Sequence, residues 1–298
     1  MASNEKKIGH TNKGKLIICP TPLGNLGDIT KRTFEAFSQC DVVCCEDTRV
    51  TGKLLSVLGI KKSLERLDEA TLSSKAEYIA QRVLSGEIIA YASDAGMPGV
   101  SDPGQRLVDA ALEVGAVVEV LPGPTALTTA YVASGFSAQS FYFGAFFPRK
   151  EGERKRLLSQ IKSLDAVLIF YESPLRLVSA LCALKELVPY RRVAVCRELT
   201  KIHEEVVRGT IDEVLRVFVD REKQEGIKGE IVLVIEAPNE QELRADKTSA
   251  LLSAEERVSD LLNSGQYSKK DIVRILKDEF GLTRNDAYEL VHHKGQIP

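Results

Sequence analysis

From Leu16 onward the chain alternates short, wholly apolar runs with stretches whose apolar residues recur every three to four positions. The first kind reads as strands buried on both faces, the second as helices with one face against a sheet. The pattern predicts strands over Leu16–Cys19, Asp41–Cys45, Ile88–Ser93 and Ala116–Leu121. It predicts helices over Ile29–Gln39, Thr51–Leu58, Lys75–Leu84, Gly104–Val114 and Thr125–Ala133. Such alternation builds a mainly parallel sheet covered by helices. The stretch FYFGAFFPRKEGERKR (141–156) breaks the rhythm, passing from an aromatic strand-like run through Pro148 into a basic segment. It sets a boundary near Phe147–Gly152. Strands then follow over Asp165–Tyr171, Arg192–Cys196, Glu204–Arg208 and Glu230–Glu236, with helices over Pro174–Leu187 and Ile211–Val219. Two of these strands succeed one another directly, which predicts a mixed second sheet.

APNEQELRADKTSA (237–250) reads as a linker, followed by three helices over Ala254–Asn263, Lys269–Phe280 and Arg284–His292. Gly265 and Gly281 stand where C-terminal caps belong, and Ser268 at an N-cap position. The expected organisation is α/β throughout: a disordered lead-in (1–14), an N-terminal α/β domain (15–147), a C-terminal α/β domain (148–238), and a linker with a helical tail (239–298). The tail reads as a helical cap more readily than as a helix-turn-helix.

Composition narrows the classes. Apolar residues make up 44% and charged residues 28% of the 298, as in a soluble globular protein. No apolar run is long enough for a bilayer span, and MASNEKKIGHTNKGK lacks the apolar core of a signal peptide, so a cytoplasmic location is the expectation. The six cysteines contain no C-x-x-C pair and read as buried free thiols. The histidines show no metal-ligand spacing, His292-His293 reads as a solvated helix end, and no metal is expected. The net charge of −2 excludes a global basic field, so binding to nucleic acid requires a local patch.

The candidate chemistry sits where strands end, the place at which open α/β sheets bind ligands. PTPLGNLGDIT (20–30) follows the first strand but is neither G-x-G-x-x-G nor a P-loop. It reads as a phosphate cradle, as a capped turn with Asp28 as the cap, or as a rigid floor for another ligand. CCEDTR (44–49) places Glu46, Asp47 and Arg49 together, to orient a hydroxyl, remove a proton or grip a phosphate, or merely to cap a helix and form one ion pair. YASDAGMPGVSDPG (91–104) and LPGPTA (121–126) are glycine–proline loops at neighbouring strand ends, a sign of close backbone approach to a ligand. Asp94 is placed to hold a ribose diol. FYESPLRL (170–177) repeats the arrangement in the second half, and CRELTK with KGEIVLVIE adds Arg197, Glu198, Lys201, Lys228, Gly229 and Glu230. A site assembled from both halves lies in the cleft between them.

These stretches, in this order over Lys15 to Glu236, together resemble the ribosomal RNA small subunit methyltransferase I family. That resemblance implies two α/β domains of the tetrapyrrole-methylase type with an interdomain cleft, and S-adenosylmethionine as cofactor. It implies 2′-O-methylation of a cytidine ribose in the decoding region of 16S rRNA, with the RNA in an assembled 30S subunit and the enzyme as a homodimer. Carried over by motif, Pro20, Asp94, Ala95, Gly96, Met97, Thr125, Ala126 and Tyr171 line the donor. Met97 and Gly99-Val100-Ser101 depart from the pattern of some relatives, within an unchanged S-D-A-G…D-P-G frame. The mechanism implied is in-line displacement, with Glu46, Asp47 and Glu172 as candidates for base or orienter and Arg49 for a phosphate or carboxylate partner. Arg149, Lys150, Arg154, Lys155 and Arg156 are expected on rRNA phosphates, the plainer reading being a solvated linker. Two alternatives remain at this stage: a tetrapyrrole or modified-histidine methyltransferase of the same fold, and a non-catalytic rRNA-binding assembly factor.

Overall fold

The structure is a computed structural model that describes residues 14–294, with all side chains among them except those of 243–247, 249, 293 and 294. The expected lead-in, up to its last residue, and the His293 side chain lie outside the described residues.

The wholly apolar runs become the inner strands of a parallel sheet. In chain order the elements are β1 (Lys15–Cys19), α1 (Lys31–Gln39), β2 (Val42–Cys45), α2 (Thr48–Val57), β3 (Ser63–Arg66), α3 (Glu69–Leu84), β4 (Ile88–Ala92), α4 (Gly104–Glu113), β5 (Val117–Val120) and α5 (Ala126–Ser134). The strand order is β3-β2-β4-β1-β5, and every pair is parallel. One face packs Leu16, Ile18, Ile89 and Tyr91 against α3 and α4, and the other packs Ile17, Val43 and Ala90 against α1 and α2. Burial on both faces explains why these strands show no polar alternation. The edge strand β3 was not anticipated: SLER carries no apolar run, and parallel pairing with β2 alone defines it.

The second sheet is mixed, as its strand succession predicts. It contains β6 (Ser140–Phe146), β7 (Ala166–Glu172), β8 (Arg192–Arg197), β9 (Glu205–Thr210) and β10 (Ile231–Ile235) in the order β6-β7-β10-β8-β9. Only β6 and β7 run parallel. Its helices are α6 (Glu151–Ile161), α7 (Leu177–Leu187) and α8 (Ile211–Gln224). Two expectations need correction here. β6 pairs with β7, and α5 packs through Ala130 on the β7, β8 and β10 face. Residues 126–147 therefore belong with the second sheet, and the crossover is the loop before α5, not Phe147–Gly152. The basic segment read as a possible linker is the regular helix α6.

The tail comprises α9 (Glu240–Ser264), α10 (Lys269–Phe280) and α11 (Arg284–Lys294) around a core of their own, which includes Val258, Leu261, Ile272, Leu276 and Val291. α9 starts inside the expected linker, with Asn239 as its N-cap accepting the Glu242 N–H at 2.9 Å. Gly265 and Gly281 do cap α9 and α10, and Ser268 forms a reciprocal capping box with Asp271. No helix among the described residues is long and apolar enough to cross a membrane. All six cysteines are free, five of them buried and Cys182 exposed.

Candidate active site

The loops at the carboxyl ends of β1 and β4 are stitched together. Thr21 and Gly96 exchange N–H···O bonds of 2.9 and 3.0 Å, and the Thr21 hydroxyl donates to the Ser93 carbonyl at 3.1 Å. Pro20 is buried under this bridge, where a side chain on Gly123 would strike its ring. The turn that follows satisfies itself: Asn25 Oδ1 accepts the Gly27 N–H at 2.9 Å, and the N–H groups of Asp28 and Ile29 reach Asn25 and Leu26 carbonyls. The N–H groups of Gly27, Asp28 and Ile29 are thus turned back on the loop itself, which makes this stretch a self-capped turn. Thr30, not Asp28, caps α1, accepting the Thr33 N–H at 3.1 Å.

CCEDTR closes β2 in two different ways. Asp47 is the N-cap of α2; it accepts the Arg49 N–H at 2.8 Å and its guanidinium at 2.6 Å. These bonds hold the Asp47 carboxyl well below the usual range. Glu46 instead turns inward, and its Oε1 accepts the Asp94 N–H at 3.3 Å while Asp94 Oδ1 accepts the Asp47 N–H at 3.2 Å. Burial, then the neighbouring Asp102, push Glu46 up to about 7. Asp102 is itself fixed by the N–H groups of Gly99 and Gly104, at 2.7 and 2.8 Å.

Between the two sheets lies a cavity of about 400 Å³. One wall is Leu23, Ala95, Gly96, Met97 and Val100; the other is Tyr171 to Pro174, Leu199 and Gly229 to Val232, with Thr125 and Ala126 at the start of α5 between them. Ala95, Gly96, Met97, Thr125, Ala126, Tyr171 and Glu172 thus meet on one cavity, and so do Gly229 and Glu230. Pro20 and Asp94 are not on its wall. Asp94, next to the wall residue Ala95, borders a separate groove with Thr21, Pro22, Lys53 and Leu54. Glu46, Asp47 and Arg49 stand behind the Asp94–Ala95 edge. Leu23 and Leu199 were not singled out, because an apolar residue in a loop carries no mark of the cavity it faces, and neither was Phe146 at the end of β6.

The lining is mostly apolar, with a few polar atoms that lack partners. The Thr125 hydroxyl is buried and unpaired at the start of a helix that has no side-chain cap. Glu172 is buried; its Oε1 accepts the Ser173 N–H at 2.6 Å and meets Arg176 at 2.5 Å, while its Oε2 has no partner. Burial raises the Glu172 carboxyl, against the lowering pull of the Ser173 N–H and of Arg176. The Cys196 thiol, also on the wall, is pushed up to about 12 by burial and stays protonated. Among the described residues no group of three or more His, Cys, Asp or Glu is arranged for a metal ion.

The basic helix divides. Arg154 is buried, donating to the Pro148 carbonyl at 2.7 Å and the Ser179 hydroxyl at 3.0 Å. Its expected place on RNA is corrected: it pins α6 to α7. Lys150 and Lys155 pair with Glu153 and Glu151, and Arg149 and Arg156 are exposed.

Residues 15–215 match the family of tetrapyrrole (corrin/porphyrin) methylases. The ribosomal RNA small subunit methyltransferase I of Bacillus subtilis (strain 168) is 37% identical over 287 residues, which cover 96% of this chain and 97% of that protein. The namesake from Thermotoga maritima is 41% identical over 222 residues, 74% of this chain and 98% of its own length. Among solved structures, a diphthine synthase superposes with a TM-score of 0.60 at 15% identity, covering 74% of this chain and 90% of that one. A cobalt precorrin-4 methyltransferase of cobalamin biosynthesis superposes with 0.55 at 18%, covering 74% and 94%. The two-sheet architecture and its cleft are those of this fold, and the chain belongs to the tetrapyrrole methylase family and, within it, to the ribosomal RNA small subunit methyltransferase I family.

Proposed function

We propose that the protein transfers a methyl group from S-adenosylmethionine to the 2′-oxygen of a cytidine ribose in the decoding region of 16S rRNA. The observation that carries this reading is the cavity walled by loops of both halves, in a chain whose full-length relatives bear the rRNA methyltransferase name. The residues fit such a donor: an apolar lining for its aliphatic and aromatic parts, and unpaired buried oxygens on Thr125 and Glu172 for its polar ends. When bound, S-adenosylmethionine supplies an electrophilic sulfonium methyl and a neutral thioether leaving group.

The chain then has two tasks. Leu23, Met97, Val100 and Tyr171 exclude water and fix the reactants in line, a form of positioning worth about 7–11 kcal/mol. A base accepts the hydroxyl proton, worth roughly 10²–10⁴-fold. Glu46 is assigned that role because it sits against Asp94, next to the wall residue Ala95, and burial and Asp102 push its carboxyl up to about 7. Asp47 is committed to the α2 cap and to Arg49, which it orients toward a substrate phosphate. Glu172, tied to Arg176, serves as an acceptor for the ligand. Arg149 and Arg156, with Lys150 and Lys155 beside them, offer the phosphate contacts. The substrate is the 30S subunit, and the enzyme acts as a cytoplasmic homodimer.

Tritiated donor incubated with undermethylated small subunits, free rRNA and a porphyrinogen tests the reading. Label on a cytidine ribose of the subunit is expected. Label on the porphyrinogen alone, or RNA binding without label, would overturn it.

A further inference from the structure

Two glycines, Gly24 beside the cavity-lining Leu23 and Gly229 on the opposite wall, make room for an ion-paired couple of side chains. Gly24 follows Leu23 in the loop after β1, and a Cβ built on it would fall 2.3 Å from Cγ of Lys201. Gly229 lies on the opposite wall, where a Cβ would fall 2.5 Å from Cγ of Glu198. Lys201 Nζ stands 3.0 Å from Glu198 Oε1 and 3.2 Å from Glu230 Oε2. Glu198 Oε1 also accepts the Glu230 N–H at 2.9 Å. The stem of Lys201 therefore lies on the backbone of the first half, while two carboxylates of the second half hold its ammonium.

The turn that presents Lys201 is strained. Glu198 and Thr200 have φ of +51° and +67°, a region unusual for any residue with a side chain and more so for a β-branched one. The strain is held in place by the Glu198 N–H on the Glu230 carbonyl at 3.0 Å and the Thr200 N–H on Glu204 Oε2 at 2.6 Å. Between the two residues Leu199 joins the cavity wall. A connection that only had to join β8 to β9 needs neither left-handed residue. Strain of this kind persists where the surroundings over-determine it, and it marks positions with a task.

We propose that Lys201 is a positioning residue for methyl transfer, a clasp that holds the loop Pro22–Gly27 against the second half and retains the donor in the cavity. The inference rests on the donor reading above. A ligand between two walls leaves when the walls part, so a tie across them acts on release more than on entry. The Glu198 arm carries the effect, because that side chain is 18% exposed whereas Glu230 is 73% exposed and an exposed pair contributes little.

The test uses the full chain and S-adenosylhomocysteine as the probe, with Kd from calorimetry and release from stopped-flow. Lys201→Ala is expected to speed release about tenfold, with the association rate held within about twofold. Lys201→Met keeps the stem on Gly24 and loses the ammonium, so its release rate falls between. Lys201→Arg, which can reach both carboxylates, restores release to within about threefold of the unaltered protein. In turnover the donor KM rises in Lys201→Ala while kcat at saturating donor holds, a split that a general loss of fold would not give. Release unchanged in both Lys201→Ala and Lys201→Met overturns the clasp and leaves the donor reading standing. If Lys201→Ala does not fold, Lys201→Met alone decides in the same way. Failure of the unaltered protein to bind the probe overturns both.

Discussion

Burial and Asp102 push the Glu46 carboxyl up to about 7, and the role proposed for it answers to two measurements. With the group at about 7, kcat is expected to rise with pH along a limb centred there. Glu46→Gln should abolish that limb and lower kcat by roughly 10²–10⁴-fold. Stability follows with the opposite sign. The folded protein holds this proton up to about 7, whereas the unfolded chain releases it near the ordinary 4.5, so between those values the folded state binds more protons and loses stability as pH rises. Glu46→Gln is therefore expected to raise Tm at pH 8 and leave it unchanged at pH 4, as read by thermal unfolding at both. The sequence made Glu46, Asp47 and Arg49 visible as a polar cluster at a strand end. It did not separate them, because the separation is made by position. Asp47 and Arg49 are satisfied within one helical turn, while Glu46 acquires its environment from Asp94 and Asp102, brought by a loop distant in the chain.

At the level of elements, what was legible followed the apolar pattern. The runs of β1, β2, β4, β7 and β10 are buried on both faces and stand out in the sequence. β3 and α6 do not: SLER has no apolar run, and EGERKRLLSQI presents its charges before its buried apolar residues Leu158 and Ile161. The loop residues Leu23 and Val100 reach the cavity through tertiary placement alone. α6 also decides how its basic residues behave. Arg154 spends its guanidinium on Pro148 and Ser179 and lies over the Phe147 ring at 5.5 Å. Arg154→Ala is expected to cost stability, about 1.5–3 kcal/mol for a lost charged hydrogen bond, with no specific loss of RNA affinity. Arg149→Glu with Arg156→Glu should do the reverse, leaving the unfolding midpoint in place and weakening RNA binding. The slope of log K against log salt should fall by about 0.7 per lost contact on single-stranded RNA. A filter-binding series at several salt concentrations distinguishes the two classes, and an unchanged slope in the double variant would remove α6 from the RNA interface.

For the molecule as a whole, the question is how the helical tail is joined to the two sheets. Its three helices pack on one another around their own core, and a buried ion pair ties them to the body. Arg191 is 1% exposed and Glu242, in the first turn of α9, is 5% exposed. The guanidinium meets both carboxylate oxygens, at 2.7 and 2.8 Å, and also donates to the carbonyls of Lys162 and Glu236. Nearby, the Asn239 side chain donates to the Tyr190 carbonyl at 2.6 Å. A linker reading of this segment missed the pair because a lone Glu in a polar stretch looks solvated until α9 places it over Arg191. Removing one partner leaves a buried charge alone, so Arg191→Met and Glu242→Leu are each expected to cost about 3–5 kcal/mol. The double variant removes both charges, and its loss should be well below the sum of the two singles, as a coupled pair requires. Denaturant midpoints at constant m read this cycle, and additive losses would show that the two residues act separately. The cavity proposed for the donor shares none of these residues, so S-adenosylhomocysteine should bind all three variants with the affinity of the unaltered protein. Weakened binding in the double variant alone would mean that the tail's attachment reaches the cleft, and that the sheets and the tail answer to one another.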